Sequence, residues 1–249
     1  MVIIPFNGPW AVLILTLAAA GIAAHFLLRK RTLVVRRRWM LGLGLFTLAS
    51  SVTFHVATLI NPPPMGWPLA QNLPLHLCTI TSWLMPLTVW YDWKPLRAAT
   101  FYVGAVAGIG GLISARPADQ GQGILDPRAF FWVAHEMNAI VPFLLASLAL
   151  YRPLARHVFT SLGWTAVAGL VTVPITVALR TWVDPGANYF YLFGPEGAGI
   201  LQVLWDLIPI PVLYAIPLLV IATPVLFAQF GVYRLLTLRW APDKLALVR

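Results

Sequence analysis

Residues 10–38 read WAVLILTLAAAGIAAHFLLRKRTLVVRRR, an uncharged apolar run followed by six bases within ten positions. A run of about 20 apolar residues is long enough to cross a bilayer as a helix. A basic loop at its end holds that end in the cytoplasm. No basic stretch precedes the run, so it reads as a retained first span rather than a cleaved leader. The rest of the chain continues in this style. Of 249 residues 59% are hydrophobic and only 10% charged, against about a quarter charged in a soluble domain. Continuous apolar runs, rather than period-two alternation, exclude a β-barrel.

Seven apolar segments follow one another, at about 10–28, 39–60, 73–91, 98–114, 129–150, 158–180 and 201–230. The fold class is therefore all-α, a single polytopic transmembrane bundle of about seven spans filling residues 1–249. The last segment carries Pro209, Pro211, Pro217 and Pro224, which predicts a kink or an interfacial first piece. The fourth carries Gly104 and Gly108 at the spacing that lets a second helix come close. Alternate loops hold 14 of the 17 Lys and Arg residues, and the other loops only Arg116, Arg128 and Arg180. This split predicts an extracytoplasmic N-terminus and a cytoplasmic C-terminus. It also explains the net charge of +9 as orientation and headgroup contact, not nucleic-acid binding. The chain is expected in the cell (plasma or inner) membrane, with phospholipids as its partners.

On this map the polar residues of the spans gather at one depth. The stretch NLPLHLCTIT at 72–81 holds His76 and Cys78, the single cysteine. His55 lies near the outer end of span two, and His135, Glu136 and Asn138 lie about two turns into span five. Arg180 closes the outer end of span six. Ionisable groups in lipid are costly and mark a bundle interior or a wet cavity, so a polar pocket is expected in the outer half and dry packing in the inner half. On a regular helix His76 and Cys78 are about 200° apart. A base for the thiol is therefore expected from another helix, and His135 is at the matching depth. Asn138 shares the face of His135, while Glu136 either faces the pocket or pairs with Arg180.

A thiol attacks as its thiolate and needs a base or cation beside it. The electrophile at that depth is a lipid ester, so Cys78 and His135 suggest acyl transfer through a thioester, or hydrolysis. Arg180 or Arg128 would hold a phosphate. No GxSxG, HExxH or paired-cysteine pattern occurs, and neither metal nor cofactor is expected. The alternative is a non-catalytic carrier or binding protein for a small solute or lipid headgroup.

Three stretches, NLPLHLCTITSWLMPL at 72–87, FFWVAHEMNAIVPFLLASL at 130–148 and DPGANYFYLFGP at 184–195, resemble in order and spacing the YwaF family of bacterial integral membrane proteins. That family is similar to eukaryotic transmembrane acyltransferases acting on ether phospholipids. The resemblance covers nearly the whole chain. It implies a bundle of six or seven helices with Cys78 and His135 as catalytic residues. It also implies that His76, Asn188, Tyr189 and Tyr191 line the site.

Overall fold

A computed structural model describes residues 2–62, 69–114, 125–196 and 199–240. Arg116, Lys244 and Arg249 of the charge balance lie outside them. Most of the described residues are helical and none of them lies in a strand. The helices are α1 (Gly8–Leu28), α2 (Leu33–Ile60), α3 (Leu77–Trp90), α4 (Lys94–Ala99), α5 (Ala105–Ser114), α6 (Phe130–Ser147), α7 (His157–Trp182), α8 (Gly199–Leu207) and α9 (Ile216–Trp240). A π-helical turn, Thr100–Gly104, joins α4 to α5 without a break. Six of the resulting helices are long and apolar enough to cross a membrane, and α3 is a shorter apolar helix beside them.

Local chemistry sets the starts of the first two. Asn7 accepts a bond from the Trp10 backbone at 2.9 Å, and a proline follows within the first turn of α1. Thr32 caps α2 through the Val35 backbone at 3.4 Å. Most serine and threonine hydroxyls inside the bundle bond the carbonyl one turn back. Examples are Thr47 to Leu43 and Thr58 to Phe54, both at 2.8 Å. Such residues need no partner on another helix.

Four expected segments differ in extent, the second because α2 already begins at Leu33 and takes in Arg36, Arg37 and Arg38. The third begins at Leu77 rather than 73, because Pro74 and an extended His76 (φ −76°, ψ 149°) precede the first helical turn. At 1.5 Å per residue its 14 residues rise only about 21 Å. The fourth begins earlier, at Lys94. The seventh is two helices, α8 and α9, separated by a non-helical stretch that contains Pro209 and Pro211 and a Val212 forced to φ 68°. The prolines deny the backbone its helical bonds there. The second piece runs on past 230 to Trp240.

The α2, α3, α5 and α6 helices form the packed centre. Its largest apolar cluster includes Met40, Met85, Phe101, Val141 and Leu145, all buried. Arg97 fastens the loops at the basic end, donating from Nε to the Thr88 carbonyl at 3.0 Å and from Nη1 to the Leu150 carbonyl at 2.8 Å, and it is ion-paired with Asp92. Arg36 donates to the Leu148 carbonyl at 3.0 Å. The opposite end, where α2 finishes and α3 and α6 begin, is where the histidines meet.

Candidate functional site

Cys78 lies in the first turn of α3 and His135 in the second turn of α6. Their side chains are close enough to interact electrostatically. The imidazole is oriented from its other nitrogen: Nδ1 donates to the Phe131 carbonyl at 2.8 Å. A nitrogen that donates to a carbonyl carries the proton, which leaves the Nε2 lone pair for the thiol.

A glycine makes room for that ring. A Cβ on Gly111 would lie 2.0 Å from His135 Cδ2 and 2.4 Å from Nε2. A Cβ on Gly108, one turn earlier, would lie 2.5 Å from the His135 carbonyl oxygen. The small-residue face of α5 thus continues past the Gly104/Gly108 pair and ends against the imidazole. Gly111 follows Gly108 at a spacing of three, which places both on one face of the helix.

Asn138 is fully buried and spans two helices. Its Nδ2 donates to the Cys78 carbonyl at 2.8 Å, and its Oδ1 accepts from Ser82 Oγ at 3.1 Å. Both ends of the amide are engaged by α3, so this residue fixes the height of Cys78 against α6. Ser82, one turn past Cys78 on the same face, completes the clamp with a 3.0 Å bond to the Cys78 carbonyl.

His55 sits at the far end of α2. Its Nδ1 donates to the Asn72 backbone carbonyl at 3.1 Å and contacts Asn72 Oδ1 at 3.3 Å. Its Nε2 is buried with no hydrogen-bond partner among the described residues. With the proton held at Nδ1, this nitrogen presents an unused acceptor. Asn72 opens the NLPLHLC stretch and was not singled out from sequence.

His76 is the residue before α3 and lies off the helix, so the angular argument that separated it from Cys78 does not apply. Its ring packs on Tyr189 (5.0 Å between centroids) and Tyr191 (5.5 Å). His55, His76 and His135 are close enough to interact electrostatically with one another. Among the described residues no group of three or more His, Cys, Asp or Glu side chains is arranged to hold a metal ion.

The 184–195 stretch closes the site. Tyr189 is fully buried. Its hydroxyl donates to the Ala70 carbonyl at 2.5 Å and accepts from the Leu73 backbone at 2.9 Å. Phe190 and Tyr191 both have φ 56°, a left-handed pair that is costly without glycine. The Tyr214 hydroxyl holds it by donating to the Tyr191 carbonyl. Asn188 Nδ2 donates to the Gly194 carbonyl at 2.8 Å and to Glu196 at 2.9 Å. Arg180 donates to the Ala187 carbonyl at 3.0 Å and lies over the Phe193 ring. Arg180 and Asn188 therefore shape the loop. Arg128 is ion-paired with Asp126 at 2.6 Å.

Glu136 neither enters the site nor pairs with Arg180. It is buried and faces α1, where it meets the Ala18 backbone, and its Oε2 has no hydrogen-bond partner among the described residues.

Burial pushes the Tyr189 phenol up to about 12, above the usual value near 10. Tyr189→Phe removes two bonds, at a cost of about 1–3 kcal/mol. The apparent Tm is expected to fall equally at pH 7 and pH 9. The deficit should shrink only above about pH 10, where the phenol ionises unfolded but not folded, so wild type loses stability as pH rises. Thermal melts at three pH values check this.

The model of the TMEM164 family matches residues 5–231 of this chain, whereas no curated protein and no solved structure matches it.

Proposed function

The chain belongs to the TMEM164 family and is a multi-pass membrane protein, and from that premise we propose that it is a phospholipid acyltransferase or lipid hydrolase acting through Cys78 and His135. The carrying observation is the approach of the two side chains from separate helices to within electrostatic reach of one another, with the His135 ring held at Nδ1 by the Phe131 carbonyl. That is the nucleophile–base–orienter arrangement of covalent acyl transfer, with the Phe131 carbonyl as orienter.

In the first step His135 Nε2 takes the thiol proton and Sγ attacks the ester carbonyl of a phospholipid. The S–C bond forms and the C–O bond breaks. The departing lysolipid oxygen receives the proton back from His135. In the second step a hydroxyl, of another lipid or of water, gives its proton to His135 and attacks the thioester, and the thiol is restored.

His55 Nε2, an acceptor without a partner, suits the incoming hydroxyl. His76 and Tyr191 form the wall beside the thiol. Asn138, Tyr189, Asn188 and Arg180 act by positioning, since their polar groups are engaged within the protein. The YwaF-type resemblance and the charge balance support placing this site in the extracytoplasmic half of a bacterial plasma membrane.

The test uses purified protein in phospholipid vesicles with a radiolabelled acyl chain and a lysolipid acceptor. Label should appear on the protein, be released by neutral hydroxylamine as a thioester is, and be missing from Cys78→Ala. An unlabelled wild-type protein, or equal turnover by Cys78→Ala, would overturn the thioester route. Lipid binding without turnover would favour the carrier reading.

A further inference from the structure

A cleft of about 470 Å³ lies between α3, the α4–α5 segment and α7, lined at its upper end by Leu77 and Thr81, which flank Cys78 in sequence while Cys78 itself is not in the lining. We propose that this cleft holds the hydrocarbon chain of the lipid whose ester is presented to Cys78, and that its closed length selects the chain transferred. This rests on the acyl-transfer reading and adds the substrate class that the site takes.

One wall is a face of α3. Leu77, Ile80, Leu84 and Leu87 recur at helical spacing along nearly its full length. Leu77 precedes Cys78, and Thr81, one turn past Cys78, also lines the cleft. The cleft therefore begins at the level of the thiol and runs towards the basic end. Its facing wall includes Val103 of the π-helical turn and Ala168 of α7.

The chemistry of the lining excludes a polar occupant. Thr81, Thr100 and Thr165 bring hydroxyls to it, and all three are bonded within their own helices, to the Leu77, Leu96 and Ser161 carbonyls at 2.8, 3.0 and 2.9 Å. What faces the space is methyl and methylene surface. Water finds too few polar partners there. A hydrocarbon chain needs none and is the surrounding solvent of a membrane protein.

The dimensions agree. The α3 wall from Leu77 to Leu87 rises about 15 Å, and one leaflet of acyl chain is about 15 Å deep. At the far end Trp93 and Trp164 meet edge to face at 5.2 Å and close the floor. Leu87 and Trp164 are exposed on their outer sides, so the cleft opens sideways and a lipid can enter without leaving the bilayer. The head of such a lipid would then lie among His76, Tyr191 and His55.

Two measurements test this. First, wild-type and Cys78→Ala proteins are placed in phosphatidylcholine vesicles containing a phospholipid with a diazirine near its acyl terminus, irradiated and mapped by mass spectrometry. Label is expected on α3 between Ile80 and Leu87 and on α7 between Trp164 and Ala168, well above the lipid-facing sides of α1 and α9. Second, acyl transfer is profiled by chain length in Ala99→Trp and Ala168→Phe, two substitutions that fill the cleft. Each is expected to cut transfer of the longest chains by about tenfold or more while sparing short ones, since a single methylene out of place costs about that much. Label spread evenly over all lipid-facing helices, or an unchanged profile in both folded variants, would overturn the cleft assignment. Cleft labelling without any acyl transfer by wild type would instead remove the catalytic reading and leave the chain site standing.

Discussion

His135→Ala is expected to slow formation of the acyl-enzyme by about 10²–10⁴-fold, the usual contribution of a positioned base. In the proposed mechanism the imidazole both takes the thiol proton and returns it to the leaving oxygen, so its loss would affect both halves of the reaction. The orientation of the ring allows a sharper version. His135→Asn keeps an amide nitrogen near Nδ1, able to donate to the Phe131 carbonyl as the native ring does at 2.8 Å, but has nothing at Nε2. It should fold as wild type and react as slowly as His135→Ala. His135→Gln reaches the Nε2 position with a group that takes no proton at neutral pH, and it should be equally slow. Single-turnover labelling at matched protein concentration checks all three. Near-native rates in His135→Asn would show that the thiol finds its base elsewhere.

The second large effect concerns the glycines of α5, where one helix face separates packing from chemistry. A side chain at Gly108 meets the His135 carbonyl oxygen and backbone next to Asn138. Backbone cannot rotate away, so Gly108→Val must push α5 off α6. Overpacking of this kind costs about 1–3 kcal/mol, which for a chain of this size lowers the apparent Tm by about 2–4 °C per kcal/mol. Gly111→Ala meets the imidazole instead. A side chain can swing, so the helices stay together while the ring leaves the Phe131 carbonyl and the thiol. Gly111→Ala is therefore expected to lose activity nearly as far as His135→Ala with a smaller Tm shift than Gly108→Val. Gly110→Ala, whose new Cβ meets nothing within 4 Å, is the control and should change neither. Equal Tm losses at 108 and 111 with activity retained at 111 would contradict this division.

The helical architecture was legible because lipid leaves few choices. Long apolar runs announced the six membrane-length helices and the shorter α3, and the prolines after Asp206 announced the break between α8 and α9. The start of α3 was harder to read. Leu73 and Leu75 are as apolar as a helix wants, and only Pro74 hinted that the chain stays extended through His76. That single boundary changed the geometry of the site, since an extended residue is not bound by the 100° step that separated His76 from Cys78. Depth reasoning brought Cys78 and His135 to one level, but it could not say which way a ring faces on its helix. Glu136 illustrates this: one position along from His135, it faces α1 instead. Arg180 looked like a phosphate ligand from its place at a span end. The loop after it uses the guanidinium to hold Ala187 and Phe193, contacts between segments that no local pattern encodes. The partners of Asn72, Ser82 and Gly111 were illegible for the same reason, since each residue matters only through a contact with another helix.

The shortness of α3 has one more consequence. A bilayer's hydrocarbon layer is about 30 Å thick, and a helix of 14 residues falls roughly a third short of it. The surrounding lipid answers such a mismatch by thinning locally. Headgroups and water would thereby be drawn down towards residue 78 instead of the reactive group rising to meet them. Turnover in this protein would then depend on membrane thickness, faster in thin short-chain bilayers and slower where long or sterol-stiffened chains hold the surface away.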